Sequence, residues 1–303
     1  MRTRAIGNST VGVVEVGAVG LGEMPLSVGP RPDPERAVRT IHAALDAGVS
    51  YLDTADVYCA GPDDIGHGER LVAAALAAYG GPTGHVLVGT KGGHLVGRLG
   101  EGIWKVDGSP AHLRAACEAS LTALGVDAIG LYQHHRPDPA VPYAESMGAL
   151  RELYDAGKVR MVGISNASTE QIGIAAAELG AALVSVQNQY APDAANFAAA
   201  ERELAHCAAA GLAFMPYMSL GGIRDARTLG SRLAPFAEIA AEHGVSPQRV
   251  CIAWTLAKAP VVIAIPGASR PETIRDSAAA ADLDLSTGQL ARIDAIAGQA
   301  AIR

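Results

Sequence analysis

The stretch that decides the fold is PERAVRTIHAALDAGVSYLDTADVY, residues 34–58. It begins with a segment of helical period that opens on Pro34 and stops at Gly48, and it continues into the short apolar run VSYLDTA. Asp53 comes at the end of this run, where an unpaired charge usually destabilises a fold. The stretch therefore predicts a helix, then a buried strand, then a polar turn that either ends the strand or carries chemistry.

The same unit recurs along the chain. Short apolar runs alternate with Ala-rich segments of helical period, and runs that are apolar on both faces suit parallel strands covered by helices. Eight such units within about 250 residues are typical of a TIM barrel rather than of an open doubly wound sheet. The sequence thus predicts an α/β fold, a (β/α)8 TIM barrel forming one domain over residues 1–303. The eight runs are VGAVGLG (16–22), VSYLDTA (49–55), HVLVGTK (85–91), AIGLYQH (128–134), VRMVGIS (159–165), ALVSVQN (182–188), LAFMPYM (212–218) and VVIAIPG (261–267).

Three further segments lie outside the repeated unit. Residues 4–16 predict an N-terminal β-hairpin that turns at Gly7 and Asn8 and covers the bottom of the barrel. Residues 231–244 and 286–299 predict two added helices. With 303 residues, of which 49% are hydrophobic, the chain can bury one large core.

Composition excludes several classes of protein. The net charge is -7 and Lys and Arg form no basic block, so we expect no nucleic-acid partner. No apolar stretch approaches the about 20 residues of a membrane helix, and the N-terminus lacks the apolar core of a secretory signal. The cysteines are far apart and form no CxxC pair, which predicts neither a metal site nor disulfides. We therefore expect a cytoplasmic protein that acts on a small molecule.

Polar residues follow most of the predicted strands. In barrels of this kind the chemistry lies at the carboxyl ends of the strands, where these residues would come together. Taken singly, each has an ordinary structural explanation, such as a turn cap or a packed ring. Their convergence favours an active site. The residues are Asp53 and Tyr58, Lys91, His134 and His135, Ser165 and Asn166, Gln187, and Tyr217.

Lys91 has two chemical uses at such a site. With a lowered pKa it could form a Schiff base, as in barrel aldolases. Paired with Asp53, it would stay charged and stabilise the phenolate of a nearby tyrosine. The presence of Asp53 favours the second use. A tyrosine with an ordinary pKa of about 10 is a poor acid, so a cation beside Tyr58 would make it a usable proton donor.

The order of motifs resembles that of the aldo/keto reductase family over essentially the whole chain. The motifs are YLDTADVY (51–58), GHGERLVAAAL (66–76), LVGTKGG (87–93), LYQHHRPD (131–138), GISN (163–166), VQNQY (186–190), PYMSLGG (216–222) and IPGASRPETIRD (265–276). The resemblance implies reversible reduction of an aldehyde or ketone to an alcohol, with Tyr58 as general acid and Asp53 and Lys91 tuning it. By the family pattern, His135 rather than His134 orients the carbonyl, because it stands two positions before Pro137.

The resemblance also implies NADP(H) as cofactor. It would be bound without a dinucleotide fingerprint, since GAVGLGEMP lacks the third Gly of GxGxxG. Arg270, at the start of a predicted helix, is well placed for the 2'-phosphate and favours NADP over NAD. Gly22, Glu23 and Met24 would line the nicotinamide side, Ser165, Asn166 and Gln187 would hold the carboxamide, and Tyr217 would stack on the ring. The other expected cofactor contacts are Asp53, Ser219, Leu220, Gly221, Ile265, Gly267, Ser269, Arg275 and Ser277.

Substrate identity, direction of reaction and oligomeric state stay open at this point. Tyr58, Trp104 and His135 are the expected substrate contacts, and Arg224 is a possible anion contact. One alternative is a nucleotide-binding regulatory protein on the same barrel, since a fold does not determine function. Another is the Schiff-base aldolase. A hydrolase built on GISNA is weaker, because Ala167 stands where the nucleophile elbow needs Gly.

Overall fold

Parallel strands alternate with helices through the computed structural model, which describes residues 1–96, 104–222 and 225–298. The strands are β1 (Thr3–Asn8), β2 (Gly12–Gly17), β3 (Leu21–Gly22), β4 (Tyr51–Asp53), β5 (Leu87–Gly92), β6 (His94–Val96), β7 (Trp104–Val106), β8 (Leu131–His134), β9 (Val162–Ser165), β10 (Leu183–Gln187) and β11 (Ala213–Phe214). The helices are α1 (Met24–Ser27), α2 (Pro34–Asp46), α3 (His67–Ala77), α4 (Pro110–Leu124), α5 (Tyr143–Asp155), α6 (Thr169–Leu179), α7 (Phe197–Ala210), α8 (Leu229–Arg232), α9 (Ala234–His243), α10 (Pro247–Ala257), α11 (Pro271–Ala278) and α12 (Thr287–Asp294).

The barrel sheet has the order β3-β4-β5-β8-β9-β10-β11, and neighbouring strands are parallel. Its strands follow one another in chain order, with helices on the outside, as the repeated unit predicts. The register sets Gly22 beside Asp53, and Lys91 beside Gln133. The strand ends therefore lie at one level, and the prediction of an α/β barrel is confirmed.

The eighth predicted strand, residues 261–267, closes the barrel without forming a continuous ladder. We call it the closing segment. It makes isolated parallel bridges to both edges of the sheet, at Phe214 on one side and at Val19 and Gly22 on the other. The amide of Gly22 donates to the carbonyl of Pro266 at 3.0 Å. Because Pro266 has no N–H to donate in return, the hydrogen bonding here is sparser than in the other strands.

The N-terminal hairpin is present, but the predicted turn at Gly7 and Asn8 is wrong. β1 and β2 pair from Thr3 with Gly17 to Asn8 with Gly12, so the turn occupies residues 9–11. The Asn8 side chain accepts hydrogen bonds from the amides of Thr10 and Val11, at 2.9 and 3.3 Å. Asn8 thus ends its strand and organises the turn that follows.

The hairpin covers the bottom of the barrel, as predicted. Ile6 and Val16 are fully buried and pack in a cluster with side chains from the barrel, including Tyr51, Leu131 and Met215. Removing these apolar side chains from water stabilises the fold. The barrel interior is therefore filled at this end, and its space lies at the other.

Both added helices are present as α9 and α12. Ser286 caps α12 in a capping box with Gln289, which satisfies the first free amides of the helix. α12 is held to the barrel by Asp294, whose carboxylate accepts a hydrogen bond from the Trp254 indole at 2.8 Å. Among the described residues, no helix combines the length and the apolar character that a membrane span requires.

Candidate active site

A cavity of about 580 Å³ opens at the carboxyl ends of the barrel strands. This volume lies within the range of about 300 to 1,000 Å³ that is usual for small-molecule sites. Most residues expected at the site from the sequence lie on its wall. They are Gly22, Met24, Asp53, Tyr58, His135, Ser165, Asn166, Gln187, Tyr217, Ser219, Leu220, Ile265 and Gly267.

Lys91 and Asp53 form a buried ion pair beneath the cavity. The Lys91 Nζ atom lies 2.6 Å from Asp53 Oδ2 and also donates to the Thr54 carbonyl at 2.8 Å. The other carboxylate oxygen, Oδ1, accepts hydrogen bonds from the side chains of Gln187 at 2.9 Å and Gln133 at 3.2 Å. Each charge thus has several partners, which is the condition for a buried pair to be tolerated.

The pKa of Lys91 is raised above its usual value. Burial lowers the pKa, but the negative charge of Asp53 and the contact with Tyr58 outweigh that effect. Lys91 is therefore an ammonium at neutral pH. A Schiff base needs the neutral amine, so this arrangement disfavours the aldolase alternative.

Tyr58 lies over the Lys91 ammonium. Its hydroxyl is 3.4 Å from Lys91 Nζ, and the Nζ atom is 5.0 Å from the centre of the ring. Burial raises the pKa of Tyr58 to about 12, while the Lys91 charge acts in the opposite direction without outweighing it. Lys91 therefore lowers the pKa of Tyr58 by less than burial raises it. The burial of this ring cannot be read from the sequence. At neutral pH Tyr58 carries its proton.

The two adjacent histidines point in different directions. His135, which follows β8, lines the cavity, and its ring meets that of Tyr58 edge to face, with the ring centres 5.9 Å apart. His134 is fully buried on the opposite side of the strand, with its ring centre 5.5 Å from that of Tyr143 in α5. Successive side chains of a strand alternate between its two faces, which explains the difference.

The pKa of His135 lies well below its usual value. Burial is the main cause, and the neighbouring positive charges of Lys91 and Arg136 act in the same direction. The imidazole is therefore neutral at neutral pH. A neutral imidazole can still donate one hydrogen bond, which is what a carbonyl oxygen accepts.

The cavity wall includes residues that the sequence did not predict, among them His94 and Arg136. His94 begins β6, which pairs with β7 as a short hairpin beside the mouth, and its ring stacks on that of His135 with centres 4.0 Å apart. Burial lowers the pKa of His94 to about 4. His94 and Arg136 stand three and two residues after the predicted strands that end at Lys91 and His134, which is why the last residues of those strands do not indicate them.

Two partners of Asp53 were also missed. The Tyr51 hydroxyl donates to Asp53 Oδ1 at 3.1 Å, and Gln133 donates to the same oxygen. Tyr51 stands two residues before Asp53, and Gln133 stands two before His135. Side chains two apart in a strand share a face, so this spacing was the available signal.

The three side chains expected to hold a carboxamide lie together at the cavity wall. Ser165 Oγ donates to the backbone carbonyl of Gln187 at 2.7 Å, and Asn166 Nδ2 donates to the backbone carbonyl of His135 at 2.9 Å. The Tyr217 hydroxyl donates to Asn166 Oδ1 at 2.6 Å. Asn166 has a φ of 59°, in the left-handed region that Asn adopts more readily than other non-glycine residues. Hydroxyl and amide groups held in this way fit the donors and acceptors of a carboxamide.

Glu23 and Ser277 lie away from the cavity that they were expected to serve. Glu23 is fully buried, and its carboxyl group accepts hydrogen bonds from the hydroxyls of Ser27 and Thr54. Burial raises the pKa of Glu23 to about 8. Ser277 is buried on the inner side of α11. Neither side chain lines the cavity.

Ser269, Arg270 and Arg275 lie outside the cavity, around the start of α11. Arg270 is the N-cap residue of this helix and is exposed, with Nη2 3.4 Å from Thr273 Oγ1. Arg275 is also exposed. Gly221 sits in the turn after Tyr217 with a φ of 87°, which favours glycine. The Trp104 side chain and Arg224 fall outside the part of the molecule that the structure describes.

The sequence pattern of the Aldo/keto reductase family matches residues 18–298, and the chain belongs to this family. An uncharacterized oxidoreductase of Schizosaccharomyces pombe is 30% identical to it over 296 residues, which are 95% of this chain and 89% of the relative. The crystal structure of a thermostable aldo-keto reductase in complex with the inhibitor epalrestat has a TM-score of 0.80 and 26% identity, and covers 98% of this chain and 100% of that one. The aldo-keto reductase from Klebsiella pneumoniae in complex with NADPH has a TM-score of 0.78 and 25% identity, and covers 98% and 96%.

Proposed function

We propose that the protein reduces an aldehyde or ketone to an alcohol with NADPH, and that Tyr58 donates the proton. The observation that supports this most is the chain of contacts from Asp53 through Lys91 to Tyr58, with His135 beside it at the cavity. The Klebsiella pneumoniae relative was crystallised with NADPH. The same cofactor suits the amide and hydroxyl groups that converge on this cavity.

NADPH supplies a hydride from its nicotinamide when it is bound. Ser165, Asn166 and Gln187 would hold the carboxamide, and Tyr217 would lie against the ring. Arg270 would bind the 2'-phosphate, since its forked donor set and the free amides at the start of α11 both suit that group. The protein would contribute position and charge.

The protein's own residues account for the proton. A carbonyl oxygen placed between Tyr58 and His135 receives a hydrogen bond from the neutral imidazole and the proton from the phenol. The Lys91 charge, 3.4 Å away, stabilises the phenolate that forms, and Asp53 keeps Lys91 protonated and in place. With a pKa of about 12 the phenol carries its proton at neutral pH, and the Lys91 charge reduces the free energy needed to give that proton up. The reverse reaction needs the phenolate and so favours alkaline solution.

Tyr58→Phe tests the assignment, because it removes the hydroxyl and leaves the ring. Loss of a general acid slows a reaction by about 100- to 10,000-fold, so we expect kcat/KM to fall by at least about 100-fold. Cofactor affinity should stay within about twofold. Turnover is measured as loss of NADPH absorbance with a panel of aldehydes and ketones, and binding by NADPH fluorescence.

Tyr79→Phe is the matched control. It also removes one phenol, but Tyr79 is bound to Asp46 on the outside of the barrel, so activity should persist. Near-normal reduction by Tyr58→Phe would refute the role of Tyr58. NADPH binding by the unaltered protein with no turnover of any carbonyl compound would favour the regulatory alternative. Trapping of a substrate on Lys91 by borohydride, with no need for NADPH, would favour the aldolase.

A further inference from the structure

Arg136 brings a positive charge to the wall of the cavity beside the reactive groups. It directly follows His135 in the chain and lines the same cavity. Burial raises the pKa of Tyr217, and the nearby guanidinium of Arg136 opposes that rise. The charge of Arg136 also acts on His94 and His135. The guanidinium therefore lies close to side chains that come from three different strand ends.

This charge has no carboxylate partner within 4.0 Å among the residues that the structure describes. The acid nearest to it in sequence, Asp138, is bound to the backbone amides of Gly108 at 3.0 Å and Ala140 at 2.9 Å. The other cation at the cavity, Lys91, is neutralised by Asp53 at 2.6 Å. The net charge offered to a molecule in the cavity is therefore positive.

The histidines at the cavity do not add to this positive charge. Burial lowers the pKa of His94 to about 4 and that of His135 well below its usual range, so both rings are neutral at neutral pH. The rest of the wall near the mouth includes the apolar side chains of Met24, Val106 and Met218. The cavity thus combines an apolar wall, a proton donor and one uncompensated guanidinium.

We infer that the preferred substrate is a carbonyl compound that also carries a carboxylate, which Arg136 binds while the carbonyl oxygen lies between Tyr58 and His135. The inference rests on the proposed function. The planar fork of a guanidinium matches a carboxylate through two parallel hydrogen bonds. Because His135 and Arg136 both line this cavity, one small oxo acid can contact both of them at once.

The test compares two aldehydes of the same shape, para-carboxybenzaldehyde and para-nitrobenzaldehyde, of which the first is an anion and the second is neutral. The unaltered protein should have the higher kcat/KM for the anion. In Arg136→Gln, kcat/KM for the anion should fall by about 10- to 100-fold, mainly through KM, because a charge-assisted contact is lost. For the neutral aldehyde it should stay within about threefold. Arg136→Lys should keep part of the preference, since it keeps the charge but not the fork.

Arg114→Gln is the matched control. It removes the same charge from an exposed position on α4, where Arg114 pairs with Glu152, and should leave both values unchanged. Equal loss on both aldehydes in Arg136→Gln would overturn the inference. So would a weakening of NADPH binding as large as the loss on the anion, because Arg136 would then belong to the cofactor site.

Failure of the inference can be told apart from failure of the proposed function. Reduction of the neutral aldehyde without any preference for the anion would overturn the carboxylate inference and leave the proposed function intact. Absence of NADPH-dependent turnover on both aldehydes and on a wider carbonyl panel would overturn the proposed function, and the inference with it.

Discussion

The buried ion pair of Lys91 and Asp53 should contribute to the stability of the fold as well as to the proposed reaction. The two side chains are 0% and 4% exposed, and their charged atoms are 2.6 Å apart. Asp53→Asn keeps the shape of the side chain and removes its charge, which leaves the Lys91 ammonium buried and unpaired. Removal of one partner from a buried pair costs about 3 to 5 kcal/mol, and we expect the free energy of unfolding to fall by that amount. Lys91→Met should cost about the same, because it strands the carboxylate.

The double variant, with both substitutions, distinguishes this reasoning from a general loss of packing. It leaves neither charge buried, and the remaining cost comes from two neutral groups that lose a partner, the Asn amide beside Met and the Thr54 carbonyl, which is smaller than the cost of a stranded charge. The Asn oxygen can still accept from Gln187 and Gln133. The double variant should therefore be more stable than either single variant, and on the proposed function it should be inactive.

The free energies are measured by urea unfolding at pH 7, followed by circular dichroism, for all four proteins. Independent substitutions add, whereas coupled ones do not. A cost of less than about 1 kcal/mol for Asp53→Asn, or a loss in the double variant as large as the two single losses together, would show that the two charges do not stabilise each other.

Two further predictions concern the cofactor and pH. Arg270→Ala should raise the dissociation constant for NADPH by about one to two powers of ten and leave that for NADH nearly unchanged, because one charge-assisted contact to the 2'-phosphate is lost. Fluorescence titration measures both constants, and Arg114→Ala is the control. Equal weakening of NADPH and NADH binding would mean that Arg270 binds the part that the two cofactors share or supports the fold. Glu23 has a folded pKa of about 8 against about 4.5 when unfolded, so the folded state holds its proton more tightly and loses stability as the pH rises between those values. The difference in pKa corresponds to at most about 5 kcal/mol. Glu23→Gln, which stays neutral, should therefore gain stability relative to the unaltered protein between pH 5 and pH 8 in urea unfolding, and parallel pH profiles of the two proteins would contradict the buried, protonated carboxyl.

The barrel could be predicted because each repeated unit carries its own local signals. Ser109, Ser168 and Ser246 cap the helices that follow them, and runs apolar on both faces require helices on the outside and side chains inside. Once the strands are parallel and in chain order, their carboxyl ends must meet. The grouping of Asp53 and Lys91 at one level follows from that geometry alone.

The details of the site depend on turns and burial, which leave weaker signals. His94 reaches the His135 ring because Gly93, with a φ of 108°, redirects the chain from β5 into β6. Glu23 turns away from the cavity because α1 begins directly after it and places Ser27 four residues on, within hydrogen-bonding reach. The raised pKa of Tyr58 reflects the loss of water around the ring, which no spacing of residues records.

The N-terminal hairpin has a consequence for the order of events in a catalytic cycle. On the proposed chemistry, Tyr58 gives up one proton per turnover and must regain one from water before the next. In the part of the chain that the structure describes, Ile6 and Val16 are fully buried and pack with Tyr51 and Leu131 at the hairpin end of the barrel. This packing excludes water from that end. Water then reaches the phenol from the mouth, which substrate and cofactor cover while they are bound. Tyr58 can therefore regain its proton only after the alcohol has left. The closed end of the barrel thus makes product release precede reprotonation.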